Sequence, residues 1–459
     1  IHKSQGRTDE AILELGRAID IDPTQAVLHF ERAKIHFERQ EANKAIEGLN
    51  RAIELEPSHL QALELRGLLH FKTQNFDAAI EDFTRAVLLG MNNMQVYLSR
   101  GQSRYRAGDS EGAIEDCTEA IRLFPDRPEP YGHRGSIYSR IGQWPKALVD
   151  FNEALKRDPG YFNAWVNRGG VYKSMKKLDR AISDFKKASE IRPEDPVPLI
   201  NQAICFISKK DLSAAVTACK KAIKLDPKNG RVWKVLGDAY IEVKRWKEAI
   251  SFYTRALDLD PALKDGWHNR GLSRWKSGDP DGALDDLSRA IRMDPDYEKA
   301  LFTRADVFRS RGDLEGALAD YTRVISLDGK EKPQAWINRG HLRRAKKDYA
   351  GAVADYSALI DLGWGERYRK LILWRGHANY GRKKFDLALA DYEIFIRDSP
   401  EDPAGYSSRG LLLLLKDREN GAAAVGDFER ALELAPPDWA DRRKIESLLR
   451  KLRETPQLD

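Results

Sequence analysis

Residues 161–194 read YFNAWVNRGGVYKSMKKLDRAISDFKKASEIRPE, and this stretch decides the fold of the chain. Small and aromatic residues recur in it at helical spacing, at Trp165, Gly169, Tyr172, Ala181, Phe185 and Ala188. Pro193 ends the second run because proline cannot continue a helical hydrogen-bond ladder and disfavours helical backbone at the residue before it. The stretch therefore predicts two antiparallel helices joined by a short turn.

The same unit recurs with a period of 34 residues along most of the chain. Its helix-ending proline lies at Pro23, Pro57, Pro125, Pro159, Pro193, Pro227, Pro261 and Pro295. Its glycine lies at Gly67, Gly101, Gly135, Gly169, Gly237 and Gly271. A fixed period of this size is typical of a solenoid, in which each unit buries its apolar face against its neighbours.

The spacing from Trp165 to Pro193 resembles that of the tetratricopeptide repeat family, and the unit from Trp233 to Pro261 matches it equally well. The resemblance implies an all-α, right-handed superhelical solenoid of antiparallel helix pairs. It also implies a protein–protein interaction scaffold whose first helices line a concave groove. The family is defined by its packing residues, so the resemblance does not name a ligand.

The repeat phase predicts three regions: a partial repeat with a truncated first helix over 1–24, twelve tandem repeats forming one continuous solenoid over 25–436, and a capping helix with a tail over 437–459. The phase slips by one residue before Gly340, by two before Gly376 and by two more in 417–427. Such insertions usually fall in the turns between helices.

Composition excludes several classes of protein. The chain has 459 residues and a formal net charge of +6, which is small for a dedicated nucleic-acid binder. Its 3 cysteines are too few for a disulfide framework. The longest aliphatic run, Leu411 to Leu415, is too short to span a bilayer. We therefore expect no membrane span and do not expect nucleic acid as a partner.

One pair of positions co-varies within the sequence. The residue before the glycine position is arginine in ten repeats, at Arg32, Arg66, Arg100, Arg134, Arg168, Arg270, Arg304, Arg339, Arg375 and Arg409. A position in the second helix is aspartate in nine of these repeats, at Asp82, Asp116, Asp150, Asp184, Asp286, Asp320, Asp355, Asp391 and Asp427. The two repeats with Gln202 and Leu236 lack both residues. This predicts an ion pair within each hairpin, and the alternative is that the arginines bind an acidic ligand.

Two further series mark candidate partner-binding residues on the first helices. Asparagine lies two residues before the glycine position at Asn167, Asn201, Asn269 and Asn338, where its amide could bond the backbone of an extended peptide. Four residues after the glycine position lie Phe37, Phe71, Tyr105 and Trp275, followed by Arg309 and Arg344 in later repeats. The alternatives are solvated polar residues for the first series and packing between repeats for the second. The stretches 196–262 and Leu362–Trp374 depart from the repeat and are candidates for a specialised contact.

No pattern in the sequence predicts catalysis, a metal site or a cofactor. The histidines are scattered, and the glycines follow the repeat period instead of forming a phosphate-binding loop. We expect a non-catalytic scaffold that binds a peptide or helical segment of a protein partner, as part of a multiprotein assembly. The alternative is a partner- or substrate-recruiting region of a larger enzyme whose catalytic domain lies upstream of residue 1.

Overall fold

The computed structural model describes residues 2–327, 329–416 and 421–454. Every regular element in these ranges is helical. The chain forms two compact units, Ile1–Lys228 (unit 1) and Asn229–Asp459 (unit 2). None of the helices described is both long enough and apolar enough to cross a bilayer.

The described residues of unit 1 form thirteen helices: α1 (His2–Ile21), α2 (Ala26–Glu38), α3 (Ala42–Leu55), α4 (Leu60–Lys72), α5 (Phe76–Leu88), α6 (Met94–Arg106), α7 (Ser110–Leu123), α8 (Pro128–Arg140), α9 (Trp144–Arg157), α10 (Phe162–Ser174), α11 (Leu178–Ile191), α12 (Pro196–Ser208) and α13 (Leu212–Leu225). From α2 onward each even-numbered helix packs against the next helix of the chain as the first member of a hairpin.

The helices of unit 2 are α14 (Gly230–Glu242), α15 (Trp246–Leu259), α16 (Lys264–Lys276), α17 (Pro280–Met293), α18 (Glu298–Ser310), α19 (Leu314–Ser326), α20 (Lys332–Ala345), α21 (Tyr349–Leu359), α22 (Lys370–Gly381), α23 (Phe385–Asp398), α24 (Pro403–Lys416), α25 (Ala422–Leu434) and α26 (Arg442–Glu454). A short π-helical segment, Ile360–Trp364, follows α21. The predicted all-α array of antiparallel helix pairs is confirmed within each unit.

The period of small and aromatic residues has a direct packing cause. In the hairpin α10–α11, a Cβ on Gly169 would lie 2.8 Å from Cε1 of Phe185, so the ring fills the space beside the glycine. Phe185 is 1% exposed, and Ala181 and Ala188 on the same face of α11 are fully buried. Glycine on the first helix therefore lets the two helices approach, and the aromatic side chain of the second helix fills the hairpin core.

In the hairpins from α2–α3 to α22–α23, the turn uses a left-handed residue just after the first helix. Glycine takes this position in some repeats, for example Gly108 with φ of 96°, and lysine takes it in others, for example Lys176 with φ of 59° and Lys210 with φ of 62°. A single residue in this conformation ends a helix while its N–H still bonds a carbonyl of the last turn. The turns are therefore short, and they fix where each second helix begins.

The stretch Leu362–Trp374, which the sequence marks as irregular, contains most of the π-helical segment and the start of α22. Gly363 has a φ of 82° and breaks the helix there. Trp364 and Tyr368 pack against the core of the hairpin α20–α21, and the guanidinium of Arg367 lies 5.3 Å from the Trp364 ring centroid. Leu362 is 62% exposed. Trp364 and Tyr368 thus anchor the insertion, and Leu362 is its exposed large hydrophobic residue.

Candidate functional site

The predicted ion pairs within the hairpins are present in all nine repeats that carry both residues. In each pair a guanidinium nitrogen lies between 2.5 and 2.8 Å from a carboxylate oxygen, and we call each pair a strut. The struts are Arg66–Asp82, Arg100–Asp116, Arg134–Asp150, Arg168–Asp184, Arg270–Asp286, Arg304–Asp320, Arg339–Asp355, Arg375–Asp391 and Arg409–Asp427. The interpretation of these arginines as internal supports is confirmed.

In seven of the nine struts of the described residues, the arginine also bonds the preceding repeat. Arg168 donates from Nε and Nη2 to Asp184 and from Nη1 to Oδ1 of Asn152, at 2.6 Å. Arg134 makes the same third bond to the hydroxyl of Thr118, at 3.0 Å. Asn152 and Thr118 lie on second helices of the repeats before, so one guanidinium links three helices. The hydrogen bonds that Arg134 donates to Asp150, together with the charge of Asp150, raise the pKa of Arg134 against the opposing effect of burial.

The predicted asparagine ladder also takes part in bonds between repeats. Asn167 Nδ2 donates to Ser136 Oγ at 3.1 Å, and Asn269 Nδ2 donates to Asp238 Oδ1 at 2.9 Å. In both cases the acceptor lies on the first helix of the preceding repeat. These amides therefore connect neighbouring first helices.

The other two asparagines differ in access. Asn338 Nδ2 donates to the Tyr321 hydroxyl at 3.1 Å, and the side chain keeps intermediate exposure. Asn201 is 8% exposed, so it offers a partner little surface. Of the four predicted asparagines, Asn167 is the exposed one.

Unit 1 has a cavity of about 290 Å³ that brings three of the predicted binding residues together: Phe71 on α4, Tyr105 on α6 and Asn167 on α10. The first helices α4, α6, α8 and α10 of four successive repeats supply most of its wall, and we call this cavity the groove. Phe71 and Tyr105 also pack against the core of unit 1, which leaves them partly exposed. The aromatic series is therefore both packing and surface at these two positions.

Two arginines that the sequence reasoning did not single out line the groove. The guanidinium of Arg106 lies 5.4 Å from the Phe76 ring centroid, and that of Arg140 lies 5.9 Å from the Tyr105 ring centroid. No aspartate or glutamate is among the described residues that line the groove. The sequence held a signal, because Lys72, Arg106 and Arg140 occupy the same place in three consecutive repeats. The groove is thus cationic and partly aromatic.

Burial determines the charge states inside the groove. It lowers the pKa of His133, so this imidazole is neutral at pH 7. Its Nδ1 lies 2.8 Å from Nε2 of Gln102. Burial also raises the pKa of the Cys117 thiol to about 12, and Cys117 is 1% exposed, so its thiol is not a nucleophile at pH 7. The described residues include no cluster of histidine, cysteine, aspartate and glutamate that could hold a metal ion.

The remaining predicted residues lie outside the groove. In unit 1, Phe37 lies under Lys72, whose Nζ is 4.3 Å from its ring centroid. In unit 2, the ammonium of Lys276 lies 3.9 Å from a ring centroid of Trp275. Arg309 pairs with Asp306 at 3.1 Å.

Arg344 is a neighbour of two histidines in unit 2. Its Nη1 lies 3.2 Å from Nδ1 of His377. Burial, and secondarily the charge of Arg344, lowers the pKa values of His341 and His377 to about 4. At pH 7 both imidazoles are therefore neutral hydrogen-bonding groups of the first helices.

Profiles of the tetratricopeptide repeat match most of the chain. One matches residues 30–93, 72–128, 268–332, 302–367 and 375–438, which together exceed half of the sequence. Two others match residues 206–265 and 162–195. No curated protein sequence matches the chain.

Solved structures with a similar course of the chain include yeast Tom70, with 17% identity, a TM-score of 0.46 and coverage of 75% of this chain and 94% of that one. A tetratricopeptide repeat protein from Parabacteroides merdae has 16% identity, a TM-score of 0.45 and coverage of 52% and 94%. The pilF protein of Pseudomonas aeruginosa has 22% identity, a TM-score of 0.41 and coverage of 45% and 93%.

Proposed function

The chain belongs to the tetratricopeptide repeat family, and from this premise we propose that it is a non-catalytic scaffold that holds an extended segment of a partner protein in the groove of unit 1. The observation that carries the proposal is the meeting of Phe71, Tyr105 and Asn167 with Arg106 and Arg140 in one cavity. Each group has a role in holding a peptide.

The groove offers one hydrogen-bond donor and one hydrogen-bond acceptor to the backbone of an extended peptide. Because His133 is neutral and its Nδ1 accepts the hydrogen bond from Gln102, its Nε2 carries the proton and can donate to a peptide carbonyl. Asn167 uses Nδ2 on Ser136, which leaves its exposed Oδ1 to accept a peptide N–H. Both groups can bind the backbone of a partner regardless of its side chains.

The side chains of the partner are selected by the rest of the groove. The partly exposed rings of Phe71 and Tyr105 offer an apolar surface for one side chain, and rigid aromatic residues make good anchors. Arg106 and Arg140 have no carboxylate within ion-pair distance among the described residues. A carboxylate of the partner can therefore pair with either guanidinium, and we expect a segment that combines an apolar residue with an acidic one.

A phage-displayed library of random decapeptides, panned on the full chain, tests the proposal. We expect enrichment of peptides that carry an acidic and an apolar residue. The enriched peptide should bind Arg106→Gln/Arg140→Gln at least about tenfold more weakly, because two charge-assisted contacts are lost. The matched control is Arg122→Gln/Arg127→Gln, which removes the same charge from exposed side chains of unit 1 outside the groove.

A second variant tests the backbone contact. Asn167→Ala should weaken the enriched peptide about fivefold, which corresponds to about one hydrogen bond, whatever the peptide sequence. Circular dichroism should show the same helix content in all variants. Equal binding by the wild type, the double arginine variant and Asn167→Ala would move the binding site away from this groove.

A further inference from the structure

The first complete hairpin, α2–α3, carries the strut arginine without either of its partners. In Arg66–Asp82 the aspartate lies sixteen positions after the arginine, and Asn50, which accepts from Arg66 Nη1, lies sixteen positions before it. The corresponding positions for Arg32 hold Gly48 and Gly16. Within the part of the chain that the structure describes, Arg32 has no hydrogen bond or ion pair. Its guanidinium therefore lacks the oxygen atoms that the nine struts supply.

Arg32 lies at the wall of a cavity, and no carboxylate of the described residues pairs with its guanidinium. It lines a cavity of about 630 Å³ in unit 1, which we call the Arg32 cavity. Two other cations line this cavity, and each already has a carboxylate: Lys44 pairs with Glu41 at 3.0 Å and Arg51 pairs with Glu54 at 3.1 Å. Among the described residues that line this cavity, Arg32 is thus the cation that remains available to an incoming anion.

We propose that the Arg32 cavity binds an aspartate or glutamate side chain of an acidic peptide segment from a partner. The incoming carboxylate takes the place that Asp82 takes beside Arg66, where Nε donates to one oxygen at 2.9 Å and Nη2 donates to the other at 2.6 Å. A guanidinium binds a planar carboxylate in this two-bond manner with both geometric and energetic preference.

The surroundings of Arg32 favour a carboxylate over a phosphate. Glu47 and Glu54 also line the cavity, and Glu41 lies on Lys44 beside it. Their repulsion opposes a phosphate group, with nearly two negative charges, more than a carboxylate with one. The histidines of the cavity are already engaged, since His29 Nε2 lies 3.0 Å from the Pro23 carbonyl and His36 Nδ1 lies 2.8 Å from Glu41.

The hairpin cannot simply gain its own aspartate at position 48. A Cβ on Gly48 would lie 2.9 Å from Cβ of Ala33, which is closer than real Cβ contacts. The exchange Ala33→Gly/Gly48→Asp instead reproduces the Gly67 and Asp82 arrangement of the next repeat. It provides an internal carboxylate that competes with the partner's carboxylate for Arg32.

The test uses the full chain with Arg106→Gln/Arg140→Gln as background, so that the groove of the proposed function does not contribute. The probe is the fluorescein-labelled peptide Gly-Asp-Glu-Asp-Gly-amide, and its matched control is Gly-Asn-Gln-Asn-Gly-amide. Fluorescence anisotropy at low salt should show the acidic peptide binding at least about tenfold more tightly than the amide peptide. The result is independent of the proposed function, because the two sites share no lining residue.

The variants then assign the binding to Arg32. Arg32→Gln and Ala33→Gly/Gly48→Asp should each weaken the acidic peptide about tenfold, the first by removing the donors and the second by occupying them. Ala33→Gly alone and Arg17→Gln, which removes an exposed charge of α1, should leave the affinity unchanged. Undiminished affinity in Arg32→Gln or in Ala33→Gly/Gly48→Asp would overturn the proposal. Displacement of the peptide by inorganic phosphate at lower concentration than by acetate would overturn the choice of a carboxylate.

Discussion

Replacement of Arg168 by leucine should loosen one hairpin, and the burial of its partner Asp184 sets the expected magnitude. Arg168 makes two hydrogen bonds to Asp184, both at 2.8 Å, and Asp184 is 4% exposed. Removing one member of a buried ion pair typically costs about 3–5 kcal/mol, because the other charge stays buried without a partner. We therefore expect a loss of about 3–5 kcal/mol.

Hydrogen exchange followed by mass spectrometry is the suitable assay, because a repeat array opens locally and a single unfolding free energy does not describe it. The opening free energy of peptides that cover α10 and α11 should fall by the stated amount in Arg168→Leu. It should largely recover in Arg168→Leu/Asp184→Leu, since two apolar residues can replace a buried pair at little cost. Lys187→Leu, an exposed substitution on α11, serves as the control.

Two results would refute this reasoning. The first is unchanged exchange in Arg168→Leu together with lost peptide binding, which would make Arg168 a ligand contact. The second is a double variant as unstable as the single one, which would show that the loss does not arise from the unpaired carboxylate.

Three further perturbations have defined outcomes. Burial lowers the pKa of His377 to about 4, so the unfolded chain binds a proton below about pH 6.5 that the folded chain does not. Stability is therefore lost as the pH falls from 6.5, by about 2 kcal/mol at pH 5. The opening free energy of peptides from α22, measured by hydrogen exchange at pH 7 and pH 5 with correction for the intrinsic exchange rates, should fall less in His377→Gln. The pKa of the buried Cys117 thiol is raised to about 12, so Ellman's reagent should label it only after urea is added. Trp336→Phe should cost about 1 kcal/mol less than Trp267→Phe in hydrogen-exchange stability, because the Trp267 indole donates to the Pro261 carbonyl at 2.9 Å whereas the buried Trp336 indole has no partner among the described residues.

The struts could be predicted because equivalent positions can be compared across the repeats of this one chain. Arginine and aspartate occur and disappear together across the repeats, which indicates contact, and the geometry follows from the planar guanidinium. The third bond of the strut could not be predicted in the same way. Its acceptor is Asn152 for Arg168, Thr118 for Arg134 and Ser288 for Arg304. Because amides and hydroxyls serve equally as acceptors, the position shows no single residue type to align.

The slip of the repeat phase before Gly340 could be located in the sequence, but its effect on the hydrogen bond of Trp336 could not be predicted. Trp165 and Trp267 donate to the carbonyl of the proline six positions earlier. Six positions before Trp336 lies Lys330, because one residue has been inserted. The indole loses its acceptor although its own position in the helix is kept. The loss depends on where a backbone carbonyl points, and a residue pattern does not carry that information.

Several residues of the groove could be predicted from the sequence, but their arrangement in one cavity could not. Phe71 and Asn167 belong to different series, three repeats apart in the sequence, and they line one cavity because successive first helices stack side by side. Sequence spacing within one helix gives no distance between two such series. Arg106 and Arg140 form a separate series, one residue after the aromatic position, which the aromatic and asparagine series do not reveal.

Departures from the repeat pattern fall into two physical kinds, and only one of them calls for a ligand. In the repeat of α12 and α13, Gln202 replaces the arginine and bonds Ser189 Oγ at 3.1 Å, while Ala218 replaces the aspartate and is 5% exposed. Both partners of the strut are gone, and no buried charge is left behind. In the hairpin α2–α3 the aspartate is gone and Arg32 remains. A repeat that loses both members of a buried pair can remain stable through apolar packing, whereas a repeat that loses one keeps a charge without its counter-charge. The second kind is where a partner's acidic side chain gains most by binding, and this places Arg32 ahead of the stretch 196–262 as a position to test.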